Sequence, residues 1–143
     1  MSNIEGFYFE DLSVGMSGSF AKTLSEADVK MFAGVTGDFN PLHGNKEYAE
    51  KTMFKQQIVH GILCAGLISA AMGFRMPGPG AVYMHQDLDF RAPVHFGDTV
   101  TATVTVKELI VEHNHVIFTT VCTVGDKEVV TGEARLKVPS RAG

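Results

Sequence analysis

The stretch Thr36-Gly37-Asp38-Phe39-Asn40-Pro41-Leu42-His43 gathers a carboxylate, an amide and an imidazole around one proline. A carboxylate and an imidazole that reach the same water can take one proton from it and deliver another, and positioned proton transfer of this kind is worth about 10² to 10⁴ in rate. Fully extended, the chain from Asp38 to His43 spans roughly 17 Å, so the two share a substrate only if it doubles back. Gly37 and Asn40-Pro41 are residue types that permit the reversal. Asn40 could orient either group or hold the loop. The same stretch also reads as an Asx-turn with His43 capping a helix, because Asp and Asn are ordinary turn residues.

A second candidate lies at His60-Gly61, at the head of the apolar run Ile58 to Phe74. The first N–H groups of a helix have no intrahelical acceptor and sit at the positive end of its dipole, so they can hold an oxyanion. Gly61 would let a ligand approach that backbone closely, or it is a glycine packed under a strand. Ser69, two turns on, could face a ligand or bond back to a carbonyl of its own helix. Other motifs fail. His113-Asn114-His115 has no third ligand at a zinc spacing. Gly78-Pro79-Gly80 lacks the Lys-Ser/Thr of a phosphate loop and the third glycine of a dinucleotide fingerprint. No metal and no cofactor is called for.

These residues need elements to place them. A strand is expected within Gly15 to Leu24, and Ser25 to Asp28 has the spacing of a capping box opening a helix of about Ser25 to Val35. Gly34 and Gly37 allow that helix to stop and turn, delivering Asp38 to a loop. Asn45 caps a short helix over Lys46 to Lys51. Ile58 to Phe74, apolar nearly all round, reads as one helix buried in a core, ended by Pro77 to Gly80. From there the period becomes two: Tyr83 to Phe90 predicts a strand, and Val100, Ala102, Val104 and Val106 alternate with threonines. His115 to Val124 and Glu128 to Val138 predict two more. Helices followed by consecutive antiparallel strands make an α+β class, with the sheet curled around the long helix.

At 143 residues the chain is read as a single domain, 1–143. Sixteen acidic against twelve basic side chains give a net charge of -4, without the basic footprint of a nucleic-acid binder. Cys64 and Cys122 fit buried thiols in a reducing compartment. The first twenty residues lack a basic start and an apolar stretch, and Ile58 to Phe74 falls short of the roughly 20 residues of a membrane span. The expectation is a cytoplasmic protein that engages neither nucleic acid nor membrane.

The loop Gly37 to His43, the Ile58-Val59-His60-Gly61 helix head, Tyr83 to Phe90 and the segment Pro93 to Thr99 together resemble the R-specific enoyl-CoA hydratases of the MaoC-like group. The likeness runs from about Gly15 to Val138 and is strongest to short single-domain forms that supply polyhydroxyalkanoate synthesis. It implies a hot-dog fold, a sheet wrapped around the central helix, and a homodimer with acyl-CoA in a tunnel near the subunit interface. It places the catalytic pair on Asp38 and His43, the oxyanion donor on the Gly61 N–H, and support on Asn40 and Ser69. Coenzyme A would be part of the substrate, with no separate cofactor. Asp38 is read mainly as base toward water and His43 as its relay, with the reverse assignment open because a coupled pair shares the proton. A hot-dog thioesterase is disfavoured because Ile58 to Phe74 contains no carboxylate. A 3-hydroxyacyl-ACP dehydratase and a non-catalytic acyl-binding module remain as alternatives.

Overall fold

The computed structural model describes residues 5–143; residues 1–4, part of the single-domain reading, lie outside the described residues. Among the described residues six strands, β1 (Ser17–Thr23), β2 (Val82–Gln86), β3 (Asp89–Phe90), β4 (Thr99–Ile110), β5 (His115–Val124) and β6 (Lys127–Lys137), form one antiparallel sheet. Its order is β1-β4-β5-β6-β2, with β3 also paired to β6. The alternation in β4 does what it predicts: Val100, Ala102, Val104 and Val106 are buried, and the threonines between them are not.

Four helices, α1 (Glu26–Thr36), α2 (Pro41–Gly44), α3 (Lys46–Glu50) and α4 (Gly61–Ala70), all fall between β1 and β2 in the chain. The sheet packs around α4, whose Cys64, Leu67 and Ile68 join Val104, Val116 and Phe118 in the core. Each fully buried aliphatic side chain of this kind contributes about 1.5 to 3 kcal/mol. The α+β arrangement of a sheet wrapped on a central helix is therefore present.

Two elements differ from expectation. Ile58 to His60 are extended rather than helical: Ile58 bridges His95, and the Val59 N–H donates to the Val94 carbonyl at 2.8 Å. The helix starts at Gly61 and gives way to a π turn over Ala71–Arg75. Nor is it buried all round, since Ile62, Gly66 and Ser69, at helical spacing, form an exposed stripe. A helix apolar on every face carries no pattern saying which face the sheet of its own chain covers. Tyr83 to Phe90, expected as one strand, is two, β2 and β3. They part at Asp87, whose N–H donates to the Glu133 carbonyl and whose Oδ1 accepts the Glu133 N–H, both at 3.0 Å. Gly132 makes room, because a Cβ there would stand 2.0 Å from the Asp87 carbonyl oxygen.

Candidate active site

The capping box that starts α1 forms as the spacing predicts: Ser25 Oγ accepts the Asp28 N–H at 3.2 Å and Asp28 Oδ2 accepts the Ser25 N–H at 2.9 Å. The helix stops at Gly37, whose φ of +82° is a left-handed conformation that costs glycine little. Asp38 follows in a chain of local hydrogen bonds. Thr36 Oγ1 accepts the Asp38 N–H at 3.1 Å, Asp38 Oδ1 accepts the Asn40 N–H at 3.2 Å, and Asn40 Oδ1 accepts the Leu42 N–H at 3.0 Å. Pro41 then occupies the first position of α2, where a missing N–H costs nothing and a fixed φ is an advantage. The doubling back from Asp38 to His43 is thus a short helix entered through an Asx-turn, and Asn40 spends its side-chain oxygen holding it.

His43 is set from the other side. Its Nδ1 lies 2.7 Å from the Ile58 carbonyl, and Gln57 Nε2 donates to the His43 carbonyl at 2.9 Å. A carbonyl only accepts, so Nδ1 carries the proton, and in the neutral ring the lone pair sits on Nε2. The extended backbone at Ile58, which shortens the helix relative to expectation, is what offers that carbonyl.

His60, read from the sequence as part of the helix head with Gly61 and given no role of its own there, lies in the folded chain against both Asp38 and His43. It is 2% exposed. Its ring centroid is 3.9 Å from that of His43, with the planes inclined by 31°, and 4.7 Å from that of Phe32. Nε2 donates to the Asp38 carbonyl at 3.2 Å and stands 4.0 Å from Asp38 Oδ2. Burial holds its pKa below the ordinary histidine value, against the opposing pull of the Asp38 carbonyl bond. Because the Asp38 carbonyl only accepts, Nε2 carries a proton, and Nδ1 is buried without a partner. An imidazole inside an otherwise apolar run was the available signal for it.

Asp38, His43 and His60 each bring a potential ligand atom within 4.8 Å of the others. His60 Nε2, the ring nitrogen near Asp38, is committed however as a donor to the Asp38 carbonyl, which leaves two acceptors there, the Asp38 carboxylate and the His43 ring. That donor set does not fit a metal cage.

Asp38, Asn40 and His43 line one cavity of about 430 Å³, with Val29 and Ala33 of α1 on its apolar wall. Gly61 lines a neighbouring cavity of about 310 Å³, together with Ile58, Val59 and Phe90. Gly61 is indeed packed under a strand, for a Cβ there would lie 2.6 Å from Phe90 Cδ1. The ring covers its Cα; the N–H belongs to the first turn of α4, where His60 supplies no side-chain cap. Ser69 lies apart on the exposed stripe of α4 and lines neither of these cavities.

A MaoC-like domain model matches residues 13–133. The chain is 56% identical to an (R)-specific enoyl-CoA hydratase of Rhodospirillum rubrum, over 94% of this chain and 93% of that one. It is 50% identical to a 3-hydroxybutyryl-CoA dehydratase of Methylorubrum extorquens, over 94% and 85% respectively. The solved (R)-hydratase of Aeromonas caviae, described as involved in polyhydroxyalkanoate biosynthesis, superposes with a TM-score of 0.88 at 41% identity, covering 91% of this chain and 99% of that one.

Proposed function

The chain belongs to the MaoC-like family, and from that premise we propose that it catalyses the R-specific hydration of trans-2-enoyl-CoA to R-3-hydroxyacyl-CoA and its reversal. The observation that carries the reading is the 2.7 Å approach of His43 Nδ1 to the Ile58 carbonyl, in the wall of the cavity that Asp38 also lines: a carbonyl only accepts, so the neutral ring keeps its lone pair on Nε2. Both groups are then acceptors, and a water between them donates one O–H to each. As its oxygen bonds to C3 the pair takes up one proton, and one proton passes to C2, so the pair ends as it began. Whether Asp38 or His43 holds that proton in between is a property of the coupled pair.

The electrons displaced from the double bond flow to the thioester oxygen, where the N–H of Gly61, in the first turn of α4 with no intrahelical acceptor, would stabilise them. Asn40 supports the reaction by keeping the Asp38 loop closed. Coenzyme A enters as part of the substrate, and no further cofactor takes part.

The working unit in this reading is a homodimer. Ile62 of α4, Met31 and Val35 of α1 and the loop residue Phe39 are all exposed, a concentration of apolar surface around the site that a second copy would cover. Ser69, on the same side of α4 as Ile62, would then line the acyl path. In this reading the enzyme is cytoplasmic and feeds polyhydroxyalkanoate synthesis or acts in fatty-acid metabolism, as its similarity to the (R)-hydratases suggests.

Crotonyl-CoA should lose its enoyl-thioester ultraviolet absorbance on addition of the enzyme, and the product should be the R isomer. Asp38→Asn and His43→Gln should each lower kcat by about 10² to 10⁴ with thermal stability unchanged. Retained turnover in both variants, or an S product, would sink the proposal, whereas activity on the acyl-carrier-protein thioester alone would move it to the dehydratase of that carrier.

A further inference from the structure

The imidazole of His60 does nothing in the mechanism above, yet it touches every part of it. It is buried, in ring contact with His43 and, at a steeper tilt, with Phe32, hydrogen-bonded through Nε2 to the Asp38 carbonyl, and it is the residue immediately before Gly61. As a packing group it is a poor choice. One ring nitrogen is buried without a partner, and an unsatisfied buried acceptor destabilises the fold relative to an apolar ring of similar shape. What an apolar ring cannot supply is the N–H that reaches the Asp38 carbonyl.

We propose that His60 is a positioning residue for the hydration, its ring and its Nε2–H together holding the His43 imidazole and the Asp38 loop in one fixed relation. The inference rests on Asp38 and His43 being the reacting pair. Two contacts divide the task. The stack at 3.9 Å limits rotation of the His43 ring about its Nδ1–H bond to Ile58, and so fixes where Nε2 points. The bond to the Asp38 carbonyl holds the backbone that carries the carboxylate, which is otherwise exposed and tied only by the local turn.

Substitution separates the contacts. His60→Phe keeps a ring on His43 and removes the donor; His60→Gln keeps an N–H at about the reach of Nε2 and removes the ring. His60→Asn, whose amide stops short of the Asp38 carbonyl, removes both and serves should His60→Phe not fold. His60→Phe is expected to melt at or above the wild-type temperature, to keep KM for crotonyl-CoA within about twofold, and to lose about 10²-fold in kcat, the scale of a 1 Å misplacement. His60→Gln should recover a large part of that loss, and His60→Asn should not.

A second readout needs no turnover: the backbone carbonyl and side-chain carboxyl NMR signals of Asp38 should move in His60→Phe and His60→Asn and stay near wild type in His60→Gln. Full kcat in His60→Phe, equal losses in Gln and Asn, or Asp38 signals indifferent to all three would overturn the proposal. An inactive wild-type protein with the predicted Asp38 shifts would defeat the hydratase reading while leaving the positioning contact in place.

Discussion

Replacing Gly61 by alanine tests the oxyanion site through its packing. The new Cβ would stand 2.6 Å from Cδ1 and 2.7 Å from Cε1 of Phe90, where carbon atoms settle at about 3.5 to 4.0 Å. Something must yield by about 1 Å. Phe90 sits in the two-residue strand β3 and is half exposed, so ring and helix start share the displacement, at an overpacking cost of about 1 to 3 kcal/mol. For a chain of this length that lowers Tm by several degrees. If the Gly61 N–H stabilises the thioester oxygen, the same shift should cost about 10² in kcat, between a misplaced group and a donor removed outright.

Phe90→Ala takes away the atoms that collide, so Gly61→Ala with Phe90→Ala should return kcat and Tm close to those of Phe90→Ala alone. Steady-state kinetics and thermal melts on all four proteins give the coupling directly. Full activity in Gly61→Ala would refute the oxyanion assignment. A double variant as slow as Gly61→Ala would show that the loss does not run through the ring.

Two further outcomes follow from packing and charge. Gly132→Ala would set its Cβ 2.0 Å from the Asp87 carbonyl oxygen, and backbone, unlike a half-exposed ring, cannot swing aside; a loss of about 3 kcal/mol or more in denaturant unfolding is expected, and an unchanged midpoint would contradict the β2–β3 junction. His60, with a folded-state pKa depressed chiefly by burial, lets the unfolded chain bind the proton first; stability present above about pH 6.5 should fall as pH drops from there toward the depressed value. His115 is depressed too, by desolvation and then by Arg135, but it remains in His60→Phe, so the difference between the two stability profiles isolates His60. Parallel profiles through that window would rule out a neutral, buried His60.

Local chemistry made much of the fold readable. The Ser25 to Asp28 box, the Gly37 stop, the Asn45 cap and the Thr/Val alternation of β4 each depend on neighbours within a few residues, and each forms. What the sequence withheld depends on distant partners. Ile58 and Val59 continue the apolar run of the helix but are drawn into extended pairing with His95 and Val94, and Tyr83 to Phe90 reads as one strand until Asp87 meets Gly132 of β6. The exposed stripe Ile62, Gly66 and Ser69 follows from the same cause, because the pattern of an all-apolar helix does not say how much of its surface one chain's sheet will cover.

The site divides along the same line. Asp38, Asn40, Pro41 and His43 announce themselves because their spacing is short, but the two readings of the stretch are not rivals. The Asx hydrogen bond from the Asn40 N–H to Asp38 Oδ1 that makes it a turn is also what leaves Oδ2 toward the His60 ring, and the proline that starts α2 is what returns His43 to the cavity. A turn built this way fixes a carboxylate without burying it, so Asp38 keeps its solvation while its direction is set. The imidazole needs the opposite treatment: its direction comes from Ile58 and His60, fifteen or more residues away. An acid positioned locally and a ring positioned from afar meet only in the folded chain, which is why the residue joining them, His60, could be named from the sequence but given its place only by the structure.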